Sequence, residues 1–288
     1  MCISSKIQLV YQMFTLNCKG KLLAAEKPVV MGILNITADS FYKGFLNDGT
    51  AAILQQAERM ISEGAAIVDI GGQSTRPGST VVSAEEELNR VVPVITLLAQ
   101  QFPELILSVD TYYSKVAIAA VEAGASIVND ISGGNMDENM IDSVGKLGVP
   151  YICMHMKGVP ATMQKSPHYE DVVQEVLGFF VNKTAECKAA GITDLILDPG
   201  FGFGKTTVHN FQLLKNLSAF SIFEKPILAG LSRKGTIYRT LGISADEALN
   251  GTTVLNTLAI QNGADILRVH DVKEAVEVVK LMEEYKNL

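Results

Sequence analysis

A closed (β/α)8 TIM barrel with a short N-terminal hairpin is the architecture expected from this sequence. Three features point to it. Eight short apolar runs recur along the chain, stretches with helical periodicity lie between them, and 288 residues is about the length of one such barrel. Each run is apolar on successive positions, as in a parallel strand covered on both faces.

The runs are PVVMGIL (28–34), AAIVDIG (65–71), LILSVD (105–110), ASIVND (125–130), PYICMH (150–155), DLILDPG (194–200), PILAGLS (226–232) and ADILRVH (264–270). Between them, segments 51–64, 83–101, 114–124, 171–191 and 245–263 repeat apolar residues at helical spacing, and several end in Gly. An open doubly wound sheet would use the same helices and is the competing architecture. Residues 6–24 precede the first barrel strand and read as a short hairpin placed to plug the barrel bottom. No Pro/Ser-rich linker or charge run splits the chain, so residues 1–288 read as one domain, with an extension at 1–27 and the barrel at 28–288.

Composition removes several classes of function. A formal charge of −7 has the wrong sign for an electrostatic hold on nucleic acid or an anionic membrane. Cys2, Cys18, Cys153 and Cys187 stand far apart with no CxxC, so neither a zinc knuckle nor a disulfide framework is suggested. The N-terminus lacks a signal-peptide pattern, and no apolar run approaches membrane-spanning length. A soluble cytoplasmic protein is expected.

In this architecture the chemistry sits at the C-terminal ends of the strands. There the sequence places Asn35, Asp69 with the loop GGQSTRPGS, Asp110, Asn129, Asp130, His155, Asp198, Ser232, Arg233, Lys234, Arg268 and His270. Any one of them has an ordinary structural explanation: Asp130 can cap the following helix, His155 can be a satisfied structural group, and Arg76 and Arg233 can be solvated loop charges. Eight polar strand ends together point to a site, because desolvating so many polar groups for stability alone would be costly.

Asp110, Asn129 and Asp198 offer two acceptor-only carboxylates and one amide, a set suited to a flat heterocycle with several N–H donors, such as a 2-amino-4-oxo-pyrimidine. A divalent-metal site is the competing use, ranked lower because no DxDxD or ExxH spacing is present. Arg76, Lys234, Arg268 and His270 supply the positive charge that a phosphate leaving group needs. DPGFGFGK (198–205) reads as a tight turn exposing an aromatic, because a dinucleotide fingerprint needs a βαβ context that it lacks.

MGILNITADSF (31–41), DIGGQSTRPGS (69–79), SVDT (108–111), IVNDISGG (127–134), MHMKG (154–158), LDPGFGFGK (197–205), GLSRKG (230–235) and RVHDV (268–272) resemble, in order, the signature segments of the dihydropteroate synthase family. The resemblance implies a folate-pathway transferase that joins 6-hydroxymethyl-7,8-dihydropterin diphosphate to 4-aminobenzoate. It implies pterin contacts for Asp110, Asn129, Asp198, Lys234, Arg268, Met154 and Ile131. Diphosphate contacts fall to Asn35, Arg76, Arg268 and His270, with Mg2+ near Asn35. Thr75, Pro77, Phe41, Phe203 and Ser232 would enclose 4-aminobenzoate. Lys234, Arg268, His270, Asn35 and Arg76 would carry the chemistry, and a homodimer through the late barrel helices is implied.

The chain departs from the family pattern at Ala38, Tyr42 and Lys43 in the first loop and at Gln73, where Glu is common. A corrinoid-linked methyltransferase pterin domain would share the barrel and the Asn/Asp/Asp set but would not need STRPG, Phe203 or SRKG. A Schiff-base aldolase using Lys234 and a non-catalytic pterin-binding paralogue are two further rival functions.

Overall fold

The computed structural model describes residues 13–36, 49–73, 81–160, 162–164 and 166–286. All eight expected barrel strands are present: β3 (Val29–Asn35), β4 (Ile67–Gly71), β5 (Ile106–Asp110), β6 (Ile127–Asp130), β7 (Tyr151–Met154), β8 (Leu195–Asp198), β9 (Leu228–Ala229) and β10 (Ile266–Val269). They form one parallel sheet in the order β8-β7-β6-β5-β4-β3-β10-β9. A parallel bridge between Leu197 and Ile227, with Leu197 N donating to Pro226 O at 2.9 Å, joins the two ends. That contact closes the barrel and removes the open-sheet architecture.

Helices follow each of the barrel strands: α1 (Gly49–Glu63), α2 (Ala84–Gln101), α3 (Ser114–Ala123), α4 (Met140–Leu147), α5 (Val172–Ala189), α6 (Thr207–Lys215), α7 (Gly235–Leu241), α8 (Leu249–Gln261) and, after the last strand, α9 (Val272–Lys286). The five segments with helical spacing correspond to α1, α2, α3, α5 and α8. Local chemistry sets their starts. Ser83 Oγ accepts from Glu86 N ahead of α2, and the Asp171 carboxylate accepts from Val173 N and Gln174 N ahead of α5. No helix among the described residues is long and apolar enough to cross a membrane.

The N-terminal hairpin pairs β1 (Phe14–Cys18) with β2 (Lys21–Ala25) through a two-residue turn, in which Lys19 and Gly20 both have positive φ, 57° and 89°. Alternation turns Phe14, Leu16 and Cys18 inward and leaves Thr15 and Asn17 in water. The inward side packs on Met31, Ile67, Ile106, Ile127, Ile152, Ile196, Leu228 and Ile266, one residue from each barrel strand. The hairpin therefore plugs the N-terminal end, as expected, and leaves the C-terminal mouth as the open one.

Candidate active site

The period of two along a strand turns this apolar floor into a polar layer one step higher. Two positions beyond Ile67, Ile106, Ile127, Ile196 and Ile266, on the same face, stand Asp69, Ser108, Asn129, Asp198 and Arg268. All but Arg268, which is half-buried, are buried. Polar groups held this deep call for partners: Asp69, Asn129 and Arg268 find them in one another, Asp198 in a backbone N–H, while Ser108 Oγ has none among the described residues.

Arg268 is the centre of the layer. Its Nε donates to Asp69 Oδ2 at 2.6 Å and its Nη2 to Asp110 Oδ2 at 2.6 Å. Asn129 Nδ2 donates to the same Asp69 oxygen at 2.9 Å. Burial works against the Arg268 charge, but Asp69 and Asp110 outweigh it and hold the guanidinium above its ordinary value. Burial also pushes Asp110 up to about 7, with Arg268 opposing.

A second group lies on the β8 side. Asp198 Oδ1 accepts from Gly200 N at 2.7 Å. Burial raises the Asp198 pKa, and the Lys234 ammonium works against that shift. Lys234 donates to Phe201 O, and its Nζ stands 4.7 Å from the centre of the Phe203 ring. Burial lowers Lys234 to about 8, with Asp198 resisting. Ser232 Oγ and His270 Nδ1 lie 3.0 Å apart, and Ser232 Oγ also accepts from His270 N at 3.2 Å.

The turn after β8 is pinned from below. Lys205, 2% exposed, places Nζ 2.9 Å from His155 Nδ1 and donates to the carbonyls of Gly200 at 2.9 Å, Phe203 at 3.1 Å and His155 at 3.2 Å. Burial and the Lys205 charge drive His155 down to about 2, so the imidazole is neutral. Gly200 and Gly204, with φ of 70° and 63°, pass so close to the segment after β7 that a Cβ would meet His155 O at 1.9 Å and Lys157 O at 2.2 Å. Asn210 Oδ1 takes Gly202 N at 2.8 Å. Phe201 is buried by this turn, whereas half-buried Phe203 faces the mouth, the exposed aromatic anticipated for DPGFGFGK.

A cavity of about 840 Å³ opens over these groups, lined among others by Asn35, Asp110, Phe203, Ser232, Lys234, Arg268 and His270. Asn129 and Asp198 sit in the layer that supports it. Ile131 and Met154 pack with Tyr112 and Phe203 in a small apolar cluster. Phe41, Thr75, Arg76 and Pro77, together with Ala38, Tyr42 and Lys43, lie outside the described residues. Gln73 Oε1 accepts from Val82 N at 2.8 Å and Tyr112 Oη at 3.0 Å, so an amide oxygen meets two donors where the family pattern has a carboxylate.

Three strand-end residues serve the scaffold. Asp130 accepts from Ser132 N, Ser132 Oγ, Gly134 N and Tyr151 Oη, so it ties down the turn after β6 and does not cap the next helix, which starts only at Met140. His155 is the partner of Lys205. Arg233 is not the solvated loop charge that the sequence allowed: its Nε and Nη2 fork onto Asp271 at 2.8 Å each, and Nη1 donates to Asp246 O at 2.8 Å. Sequence reasoning counted Asp69 among the polar strand ends but gave it no role, and it passed over Lys205. Asp69 left a signal, a carboxylate in the middle of the apolar run AAIVDIG, where a charge needs a buried partner. Lys205, at the end of a glycine-rich turn, left none.

The profile of the family described as pterin binding enzyme matches residues 31–270. The dihydropteroate synthase of Escherichia coli strain K12 is 44% identical over 267 residues, covering 92% of this chain and 94% of that protein. Among solved structures, Yersinia pestis dihydropteroate synthase in a sulfonamide drug complex superposes with a TM-score of 0.89 at 43% identity, covering 96% of this chain and 100% of that one. The Xanthomonas albilineans dihydropteroate synthase with 4-aminobenzoic acid gives 0.88 at 42% identity, covering 95% and 98%. With the barrel, the polar mouth and these likenesses in agreement, the chain belongs to the dihydropteroate synthases of the pterin-binding enzyme family.

Proposed function

We propose that this chain condenses 6-hydroxymethyl-7,8-dihydropterin diphosphate with 4-aminobenzoate, releasing pyrophosphate and giving 7,8-dihydropteroate. The observation that carries the residue-level reading is the meeting of the acceptors Asp110, Asn129 and Asp198 with the cations Lys234 and Arg268 at one mouth. Carboxylate and amide oxygens suit the N–H donors of a pterin edge, and the Lys234 ammonium suits its ring heteroatoms. Ile131 and Met154 supply an apolar wall. Arg268, already fixed on two carboxylates, keeps the rest of its guanidinium for the ring face and the diphosphate.

Asn35, Arg76, Arg268 and His270 address the diphosphate in this reading, and Thr75, Pro77, Phe41, Phe203 and Ser232 address 4-aminobenzoate. Ser232 Oγ also meets both His270 Nδ1 and His270 N, which fixes the imidazole at the mouth where the diphosphate is assigned. The C–O bond to the pterin methylene breaks and the diphosphate leaves with the electron pair. The arylamine nitrogen then bonds to that carbon and sheds a proton. Lys234 and Arg268 hold their positive charges beside the departing anion while fixed carboxylates support the electron-poor ring, so the catalytic gain is electrostatic and positional.

The donor set at Asn35 fits Mg2+. Exposed Asn35 brings one amide oxygen to the cavity wall, and no group of three or more His, Cys, Asp or Glu forms a metal cage among the described residues. One protein ligand suffices for an ion held mainly by phosphate oxygens and water. When bound, it would neutralise charge on the leaving group.

A homodimer is supported by exposed apolar residues on the late helices: Val208 and Phe211 on α6, Leu241 at the end of α7, and Val254 and Leu258 on α8. Cys18, Cys153 and Cys187 are free and buried, which suits a reducing cytoplasm.

The test is pyrophosphate release by purified protein, with pterin diphosphate present and 4-aminobenzoate added or withheld. Release that depends on 4-aminobenzoate is expected. Tight pterin binding without release would identify a non-catalytic paralogue instead.

A further inference from the structure

Asp69 has no part in the proposed reaction, yet it is the carboxylate through which Arg268 and Asn129 are joined. It is 0% exposed, and its Oδ2 accepts both Arg268 Nε at 2.6 Å and Asn129 Nδ2 at 2.9 Å. It stands on β4, with Asn129 two strands away on β6 and Arg268 two strands away on β10.

The consequence lies in the two-ended chemistry of an amide. A carboxylate bound to a guanidinium can only accept, so Asn129 must turn its NH2 toward Asp69. The carbonyl oxygen is then the end directed away from Asp69. Reversing the amide would set an oxygen against a carboxylate and forfeit a charge-assisted hydrogen bond in a buried layer. Asp110 and Asp198, on either side, are acceptors as well. Orientation of Asn129 therefore decides whether the pocket presents three acceptors or two acceptors and a donor.

We infer that Asp69 is a positioning residue that sets the donor–acceptor polarity of the pterin pocket, by holding Asn129 with its carbonyl oxygen toward the ligand. The ring edge selected is one rich in N–H donors, so a 2-amino-4-oxopteridine is favoured over a 2,4-dioxopteridine, in which an acceptor replaces the amino group. This inference rests on the pterin reading of the site.

The test is calorimetric binding of these two pteridines to the full chain, wild type and variants, with thermal melts to confirm folding. Wild type is expected to prefer the 2-amino compound. Asp69→Ala frees Asn129 to turn and is expected to reduce that preference roughly tenfold, the size of one buried hydrogen-bond mismatch. Asp69→Ala/Asn129→Asp presents a carboxylate oxygen in either orientation and is expected to restore the preference. If Asp69→Ala weakens both ligands equally and leaves the ratio unchanged, the inference is overturned and Asp69 is structural only.

A second measurement covers the case in which Asp69→Ala does not fold. The Asn129 side-chain NH2 signals of the wild type, assigned by their loss in Asn129→Asp, are expected to include a proton protected from solvent exchange before ligand is added. Rapid exchange of both protons would overturn the inference. A wild type that binds neither pteridine would instead sink the pterin reading itself, while the exchange measurement still decides the amide's orientation.

Discussion

Arg268 Nη2 lies 2.6 Å from Asp110 Oδ2, which ties the last barrel strand to the third across the two strands between them. With the bond from Arg268 Nε to Asp69, one guanidinium serves as the bonded counter-charge of two buried carboxylates. Removing it leaves both without their counter-charge. Arg268→Ala is expected to lose turnover and about 3–5 kcal/mol of stability, the usual cost of breaking a buried ion pair. Asp110 already titrates near 7 and would rise further without Arg268, so protonation relieves the unpaired charge as pH falls. Denaturant unfolding should show a smaller deficit at pH 5 than at pH 8, and equal deficits would contradict this account.

Lys234 sets a basic limb on activity. Its proton is lost near pH 8, because burial disfavours the ammonium more than Asp198 supports it. If the charged form binds the pterin and its leaving group, kcat/KM falls as pH rises through about 8. Lys234→Arg keeps its charge at every accessible pH and should lose that limb, at some cost in fit. A basic limb unchanged in the Arg variant would assign it to another group.

Lys205 controls the turn that presents Phe203. Lys205→Met removes the donor from three carbonyls, each of which costs about 1–3 kcal/mol if left unsatisfied. A lower melting temperature is expected, with a KM for 4-aminobenzoate that rises more than the KM for pterin diphosphate, because Phe203 is assigned to the first substrate. Equal changes in both constants would point to general loosening.

Glu87 couples stability to pH without touching the cavity. It is 0% exposed on α2, against Gly72, and burial together with the Asp110 charge raises it to about 8. Below about pH 4.5 it is protonated in both folded and unfolded chains and contributes nothing. As pH rises from there to about 8, the unfolded chain loses the proton first, so stability falls; beyond that the difference is constant. Glu87→Gln should flatten the stability profile across this window, whatever its effect on absolute stability. A profile with the wild-type slope would remove Glu87 as the source.

The strands, helices and plugging hairpin were legible from local pattern. A run such as ASIVND needs both faces buried wherever it sits, and Gly20 after Lys19 makes a tight turn on backbone grounds alone. The placement of Asp110, Asn129, Asp198, Lys234 and Arg268 at one mouth followed from parallel strands having their C-terminal ends together. Closure was expected from eight strand–helix units in a chain of barrel length, but the contact that makes it was not legible, because the Leu197–Ile227 bridge joins strand edges whose pairing no single run specifies.

Partnership among the polar residues is likewise decided only in three dimensions. Asp69 and Arg268 are 199 positions apart and meet only because the barrel brings β4 and β10 within reach across β3. Likewise, the 50 positions between His155 and Lys205 say nothing about a buried lysine capped by carbonyls. Residue type and period fix which side chains a strand turns inward. Only the closed sheet decides which of them share a proton donor, because hydrogen bonding acts over about 3 Å of space and takes no account of distance along the chain.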